Sequence, residues 1–553
     1  MKKFTAFLLT YALACMTLAG CAAKEQPISQ SDANAVQNQG TAIVLSDEGI
    51  TVDGEAISTD ETAAVYAAND IVYYEEGKDF TYGEGTEADA HSQAEADAHT
   101  VVHITEPGTY VLSGSLSAGQ VAVDLGEDAE EDPGAVVSLV LNDVDIFCSV
   151  APAIIFYEVY ECGSDDADTA TKDVNTTAAG ANVLIADGTV NNIYGSYVAR
   201  IYKPDSVELS EDGTEVVDSK KLHKYDAAFY SKKSMNVSAW GEDTGVLNIN
   251  AENEGLDAEL HLTINGGNIN ITSGNDGINT NEDYVSVTTI NGGNININVT
   301  GSTGEGDGID SNGWLVINGG TVVSAACGFS GDAGIDSEMG IHVKGGTVMA
   351  RGNMYDRLEE GSQNYAVFTF ASTQAGGSTY TLKNAAGEAV AECTPANDFM
   401  YLIVSSPDLA AGEYTFWQGQ TQLGTAGAGM GGGMMGGQRP IMTGGEKPEE
   451  MGKFDPAQMP EGMEKPEGAE RPEGGRGERG EFTRNEDGTV TLPDGTTMDP
   501  GQLPQGGNKG NGGGFGGRGG FQGSFNSGEG AELSATFTIV DGANFFSSVA
   551  ALG

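Results

Sequence analysis

LTINGGNINI (262–271), TTINGGNINI (288–297), LVINGGTVVS (315–324) and IHVKGGTVMA (341–350) are four near-copies of one ten-residue phrase. Their Gly pairs fall at 266–267, 292–293, 319–320 and 345–346, a period of 26 to 27 residues. Each copy alternates apolar and polar residues, as a strand with one buried face requires. A period in the twenties built from such strands predicts a solenoid, in which each repeat buries its apolar face against the next. Alternation then predicts two internal stacks: Ile264, Ile290, Ile317 and Val343, and Ile269, Ile295, Val322 and Val348. Asn265, Asn291 and Asn318 are placed to form an amide ladder, ended by Lys344. Gly-Gly beside them marks a sharp corner needing φ > 0.

A second motif runs alongside at similar spacing: EGLDAE (254–259), DGINTN (276–281), DGIDSN (307–312) and AGIDSE (333–338). Aligned, it yields two columns of oxygen-bearing side chains. One holds Glu254, Asp276 and Asp307; the other holds Asp257, Asn279, Asp310 and Asp336, with Asp332 near the fourth copy. Glu259, Glu338, Asn281 and Asn312 follow them. On successive turns such groups lie ~4.8 Å apart, where two carboxylates repel by about 1 kcal/mol in water and by more when buried. Ca²⁺ accepts carboxylate and carbonyl oxygens in flexible geometry and is the cofactor predicted here. The competing expectation is that these Asp and Asn residues only cap turns.

Outside the repeats the chain reads as β throughout. Short strands recur from Ala42 onward, bounded by Gly, Asp, Asn or Pro, and no period-3.6 stripe is evident; residues 83–100 read as an acidic loop. Residues 364–423 break the period and form a small β-module. From 424 to 530 the composition turns to Gly, Pro, Met and Glu, too poor in apolar surface to fold. Within it 481–498 has the pattern of a hairpin, and 531–553 regains strand character. The domain boundaries are thus 1–20, 21–41, 42–363, 364–423, 424–530 and 531–553.

Net charge is −55, from 81 acidic against 26 basic residues, which excludes a nucleic-acid partner. Lys2-Lys3, the apolar run 4–18 and Leu-Ala-Gly-Cys (18–21) form an export signal too short to span a membrane. That tetrapeptide resembles the bacterial lipobox, which implies lipidation of Cys21, a tether over 22–41, and an extracellular protein anchored in the membrane by lipid. Cys148, Cys162, Cys327 and Cys393 lack zinc spacing, and either disulfides or free thiols fit.

The lipobox, TEPGTYVLSG (105–114), VVSLVLNDVDI (136–146), ADGTVN (186–191) and the repeated GID…INGG together resemble a family of bacterial carbohydrate-binding domain proteins. The resemblance covers roughly 42–420. It implies a right-handed parallel β-helix, similar in architecture to calcium-dependent pectate lyases, and binding of plant cell-wall polysaccharide and calcium. Trp240 and Trp314 are predicted to face outward, where either could stack on a sugar. A lyase would further need a neutral Lys or Arg as base. Lys232, Lys233, Lys344 and Arg351 are the basic residues near the repeats, and none recurs with the acids. No catalytic residue is assigned. The function predicted is calcium-dependent binding of an acidic plant polysaccharide such as pectate, or of cellulose; a pectate lyase and a calcium-stiffened surface adhesin are the alternatives.

Overall fold

A computed structural model describes residues 40–428 and 533–552, together with three two-residue strands between them. The export signal, Cys21 and nearly all of 424–530 lie outside the described residues. The described residues are all-β, with two large sheets and two short helical segments, and no helix among them is long and apolar enough to cross a membrane.

Three parallel ladders carry the repeats. The first stacks Ala181–Ala186, Met235–Trp240, His261–Ile264, Val287–Ile290, Trp314–Ile317 and Gly340–Val343. The second stacks Val190–Gly195, Val246–Ala251, Asn268–Ser273, Asn294–Val299, Thr321–Ala325 and Thr347–Gly352. The third stacks Gly119–Val123, Ile154–Phe156, Ala227–Ser231, Glu254–Ala258, Ile278–Thr280 and Ile309–Ser311. From Met235 to Ser311 the chain visits first, second and third ladder in turn.

Register follows the alternation. Ile264 pairs with Ile290, Ile290 with Ile317, and Ile317 with Val343. Ile269, Ile295, Val322 and Val348 align in the same way. All eight are buried. The second Gly of each pair turns the corner, with φ of 106°, 89°, 79° and 79° at Gly267, Gly293, Gly320 and Gly346. A Cβ on Gly293 would stand 2.7 Å from the Gly267 carbonyl oxygen, so the close rungs also demand glycine. Truncating Ile290 to Ala, with Ile264 and Ile317 stacked on either side, is expected to cost ~2–5 kcal/mol. Urea unfolding checks this; a loss below about 1 kcal/mol would mean that the stack carries little of the core.

Amide ladders line the outside. Asn291 donates to Asn265 and Asn318 to Asn291, each at 2.9 Å. A longer ladder runs Asp145, Asn192, Asn248, Asn270 and Asn296.

The parallel stack ends on an antiparallel partner. Thr347–Gly352 pairs with Phe399–Ser405, which pairs with Tyr365–Gln374. Ala543–Ala551 joins that sheet beside Tyr365–Gln374 and Thr421–Ala428. Phe368, Phe370, Phe399, Phe416 and Phe546 fill a separate core there. An exposed terminal strand is a template for aggregation, and this module covers it. Thr483–Arg484, Val490–Thr491 and Thr497–Met498 form a three-stranded antiparallel sheet where the sequence suggests a single hairpin.

A further element departs from the sequence reading. Within the 83–100 loop, Gln93–Asp97 is a single helical turn. Ser92 accepts from the Glu95 N–H while the Glu95 carboxylate accepts from the Ser92 N–H, a reciprocal capping box. The S-x-x-E spacing carries that signal locally, where no hydrophobic period could. Among the described residues, Cys148, Cys162, Cys327 and Cys393 are all free thiols.

Candidate functional site

The acidic motif folds as the third ladder. Leu256 and Ala258 belong to the core, so Asp257 between them points away from it. In register with Asp257 stand Asn279 and then Asp310. Asp336 follows, its N–H donating to the Ile309 carbonyl at 2.7 Å. Although they face outward, Asp257 is fully buried and Asn279 nearly so. Two features distinguish the column.

The first is a close carboxylate group. Asp307, Asp310 and Asp336 each offer an oxygen, all within 4.8 Å of one another. The second is unsatisfied oxygen. Glu254 Oε2 and Asn279 Oδ1 are buried and receive no hydrogen bond. A buried acceptor without a donor costs ~1–3 kcal/mol, and more when it is charged.

Burial and mutual repulsion raise the acids. Burial, then Asp226, pushes Glu254 up to about 8. Burial, then Asp336, pushes Asp310 up to about 7. Burial holds Asp257, Asp276 and Asp307 well above the carboxylate range, helped by Glu254, Asp310 and Asp276 respectively. The donor set is all hard oxygen, without His or Cys, which suits a hard cation such as Ca²⁺ over zinc or copper.

Several of the predicted residues also cap turns. Asp276 accepts the Asp307 N–H at 2.6 Å, and Asp307 accepts the Ala333 N–H at 2.5 Å. Asp332 accepts the Gly306 N–H at 2.7 Å and the Ser330 hydroxyl. Asp257 instead accepts from the Asn281 amide at 3.0 Å through both oxygens.

Three neighbours escaped the sequence reading. Asp226, Lys224 and Tyr230 precede the first acidic motif by one rung: Ala227 pairs with Glu254 and Tyr230 with Asp257. Extending the repeat one period backward finds Tyr230. Lys224 and Asp226 have no such signal, since Lys224 belongs to Lys221–Tyr225, paired with Val198–Tyr202 outside the ladders. Lys224 lies 2.5 Å from Asp226, and Lys221 lies 3.0 Å from Glu259. Burial opposes charge on Lys224, but Asp226, Glu254 and Asp257 outweigh it and hold the ammonium above its ordinary range.

The basic residues singled out near the repeats are engaged elsewhere. Lys232 pairs with Glu158, Lys233 with Glu130 at 2.7 Å, and Lys344 with Asp173 at 3.6 Å. Arg351 is buried where Thr347–Gly352 meets the C-terminal module. The tryptophans do not share a strip either. Trp240 packs partly buried against Val111, Val140 and Ala186. Trp314 is half-buried at the start of its own strand, aligned with Val287 and Gly340. Register through Val287 and His261 places it near the opposite end of the first ladder from Trp240, roughly 20 Å away along the strands.

Residues 98–356, the span that holds all three ladders, match a family model described as carbohydrate-binding domain-containing protein. Among solved structures, the polysaccharide lyase-like protein from C. thermocellum, a gadolinium derivative, is 20% identical with a TM-score of 0.32, over 58% of this chain and 97% of that one. No curated protein matches.

Proposed function

We propose that this protein binds polysaccharide, holding calcium along the third-ladder column and, through it, an acidic glycan such as pectate. The observation that carries this reading is the pair of buried, donorless oxygens, Glu254 Oε2 and Asn279 Oδ1, beside the buried Asp257. Turn capping accounts for Asp276 and Asp332 but leaves that pair unsatisfied. Glu254, Asp257 and Asn279 would hold one cation, and Asp307, Asp310 and Asp336 another. When bound, calcium supplies positive charge to the column and coordination positions for a uronate carboxylate. The family match over 98–356 supports a glycan partner. In this reading the ladders are turns of a right-handed parallel β-helix, tethered outside the cell through a lipid on Cys21.

Binding is favoured over lyase chemistry by the state of the lysines. Proton abstraction needs a neutral base near the metal. Lys221 and Lys224, the lysines beside the column, are both ion-paired, and Lys224 is held protonated. The test is retention of the purified chain on insoluble pectate and on cellulose, in calcium and in chelator, with absorbance of 4,5-unsaturated uronates followed throughout. Retention on pectate that is strong in calcium and much weaker in chelator, without absorbance, is expected. Rising absorbance would make the protein a lyase; no retention on either polymer would leave calcium-stiffened structure as its role.

A further inference from the structure

A second cleft shares the strand Lys221–Tyr225 with the surroundings of the acidic column but is lined by none of the column's acids. Its walls are the 77–82 loop and the segment around 201–207, closed by Leu222. The walls are zipped together: Tyr202 N–H donates to the Tyr82 carbonyl at 2.9 Å, and Glu84 N–H to the Arg200 carbonyl at 2.8 Å. The cleft encloses about 520 Å³, within the range of small-molecule sites.

Its lining combines ring faces with cations. Tyr82 and Tyr202 contribute the rings, with Ile201 and Leu222 beside them. Lys78 lies 5.1 Å from the centre of the Tyr82 ring and 2.7 Å from Glu75. Arg200 sits 5.8 Å from the Tyr202 ring centre and pairs with Glu84 at 3.3 Å. Lys203 is exposed, and no carboxylate lies within ion-pair distance of it among the described residues. Of the lining acids, Asp79 is committed to the Thr81 N–H and hydroxyl, whereas Asp205, in a turn with φ of 63°, remains as an acceptor for a sugar hydroxyl. In a chain of net charge −55, a lining with two lysines, Lys78 and Lys203, against two aspartates, Asp79 and Asp205, is less acidic than the chain as a whole.

We propose that this cleft is a second glycan subsite that takes a uronate residue directly, its carboxylate on Lys203 and Lys78 and its ring against Tyr82 or Tyr202. This rests on the polysaccharide-binding reading but assigns a different place and a different chemistry. A carboxylate meets an ammonium here without any metal, so the subsite works in chelator, where the acidic column does not. Long-range repulsion between an acidic glycan and this chain is screened beyond ~8 Å at physiological salt, leaving the local contacts to decide.

The experiment is calorimetric titration of the full chain, in chelator and physiological salt, with trigalacturonate and with its neutral methyl ester. The acid is expected to bind, the ester at least tenfold more weakly, and Lys203→Met to weaken the acid at least tenfold. Lys203 is exposed, so its loss should leave the melting curve unchanged; Lys78→Met, also exposed, is the second variant. Equal affinity for acid and ester, undiminished binding in both variants, or no binding in chelator would overturn the proposal. Calcium-dependent retention on pectate by a chain that fails this titration would leave the function above standing. Cleft binding without such retention would sink that function instead.

Discussion

In chelator the melting temperature is expected to fall as pH rises from about 4 to 8, and in millimolar calcium that fall should vanish. Glu254 titrates at about 8 and Asp310 at about 7 when folded, against ordinary values of 4.5 and 3.8. A carboxyl whose folded pKa is raised binds its proton more tightly in the native state. Its contribution is therefore fully present below the unfolded pKa and is lost as pH climbs through the folded one. Three units correspond to on the order of 4 kcal/mol for one group. Asp257, Asp276 and Asp307 shift in the same direction, so the losses accumulate. A fall of about 5–10 °C is expected for a domain of this size. Calcium would favour the ionised column and cancel the slope. Thermal melts at pH 4, 6 and 8 with and without calcium measure it, and parallel profiles in the two conditions would refute a metal at this column.

Asp257→Asn should act with opposite sign in the two conditions. Without metal, the substitution removes a fully buried carboxylate that lies beside Glu254, and it keeps an oxygen for the Asn281 amide. Relieving a buried charge without leaving a void is expected to stabilise the chelated protein by about 1–3 kcal/mol at pH 8. With calcium, the same change deletes a charged ligand. A hundredfold loss of affinity would remove about 2.7 kcal/mol of metal-linked stability. Urea midpoints in chelator and in saturating calcium, with calcium affinity by calorimetry, decide the matter. Equal destabilisation in both would show that Asp257 serves only as the acceptor for the Asn281 amide.

The apolar stacks were legible because alternation and a 26-residue period leave little freedom. Once Ile264 lies over Ile290, a one-residue slip would turn every buried side chain outward. The column Asp257, Asn279, Asp310 was legible for the same reason, since it rides on that register. The longer amide ladder through Asn192, Asn248, Asn270 and Asn296 was equally present in the alternation, yet its first rungs lie in strands whose Gly-Gly corner is absent. Cys148–Cys162, the nearest pair in sequence, forms no bond, because Cys148 is fixed inside the core while Cys162 lies half-buried outside it.

By itself, then, the sequence determined an all-β chain, its repeat, its register and which oxygens share a column, because each follows from spacing along one strand or one period. Only the tertiary structure decided how deeply those oxygens are buried, which of them cap turns, and that Lys224, ion-paired to Asp226, stands beside them. It also separated Trp240 from Trp314 and drew Lys78 and Lys203 to one cleft. Burial and ion pairing depend on what another part of the chain lays over a residue, and Lys221–Tyr225 and the 77–82 loop stand outside the repeat. No local period encodes where such segments come to rest.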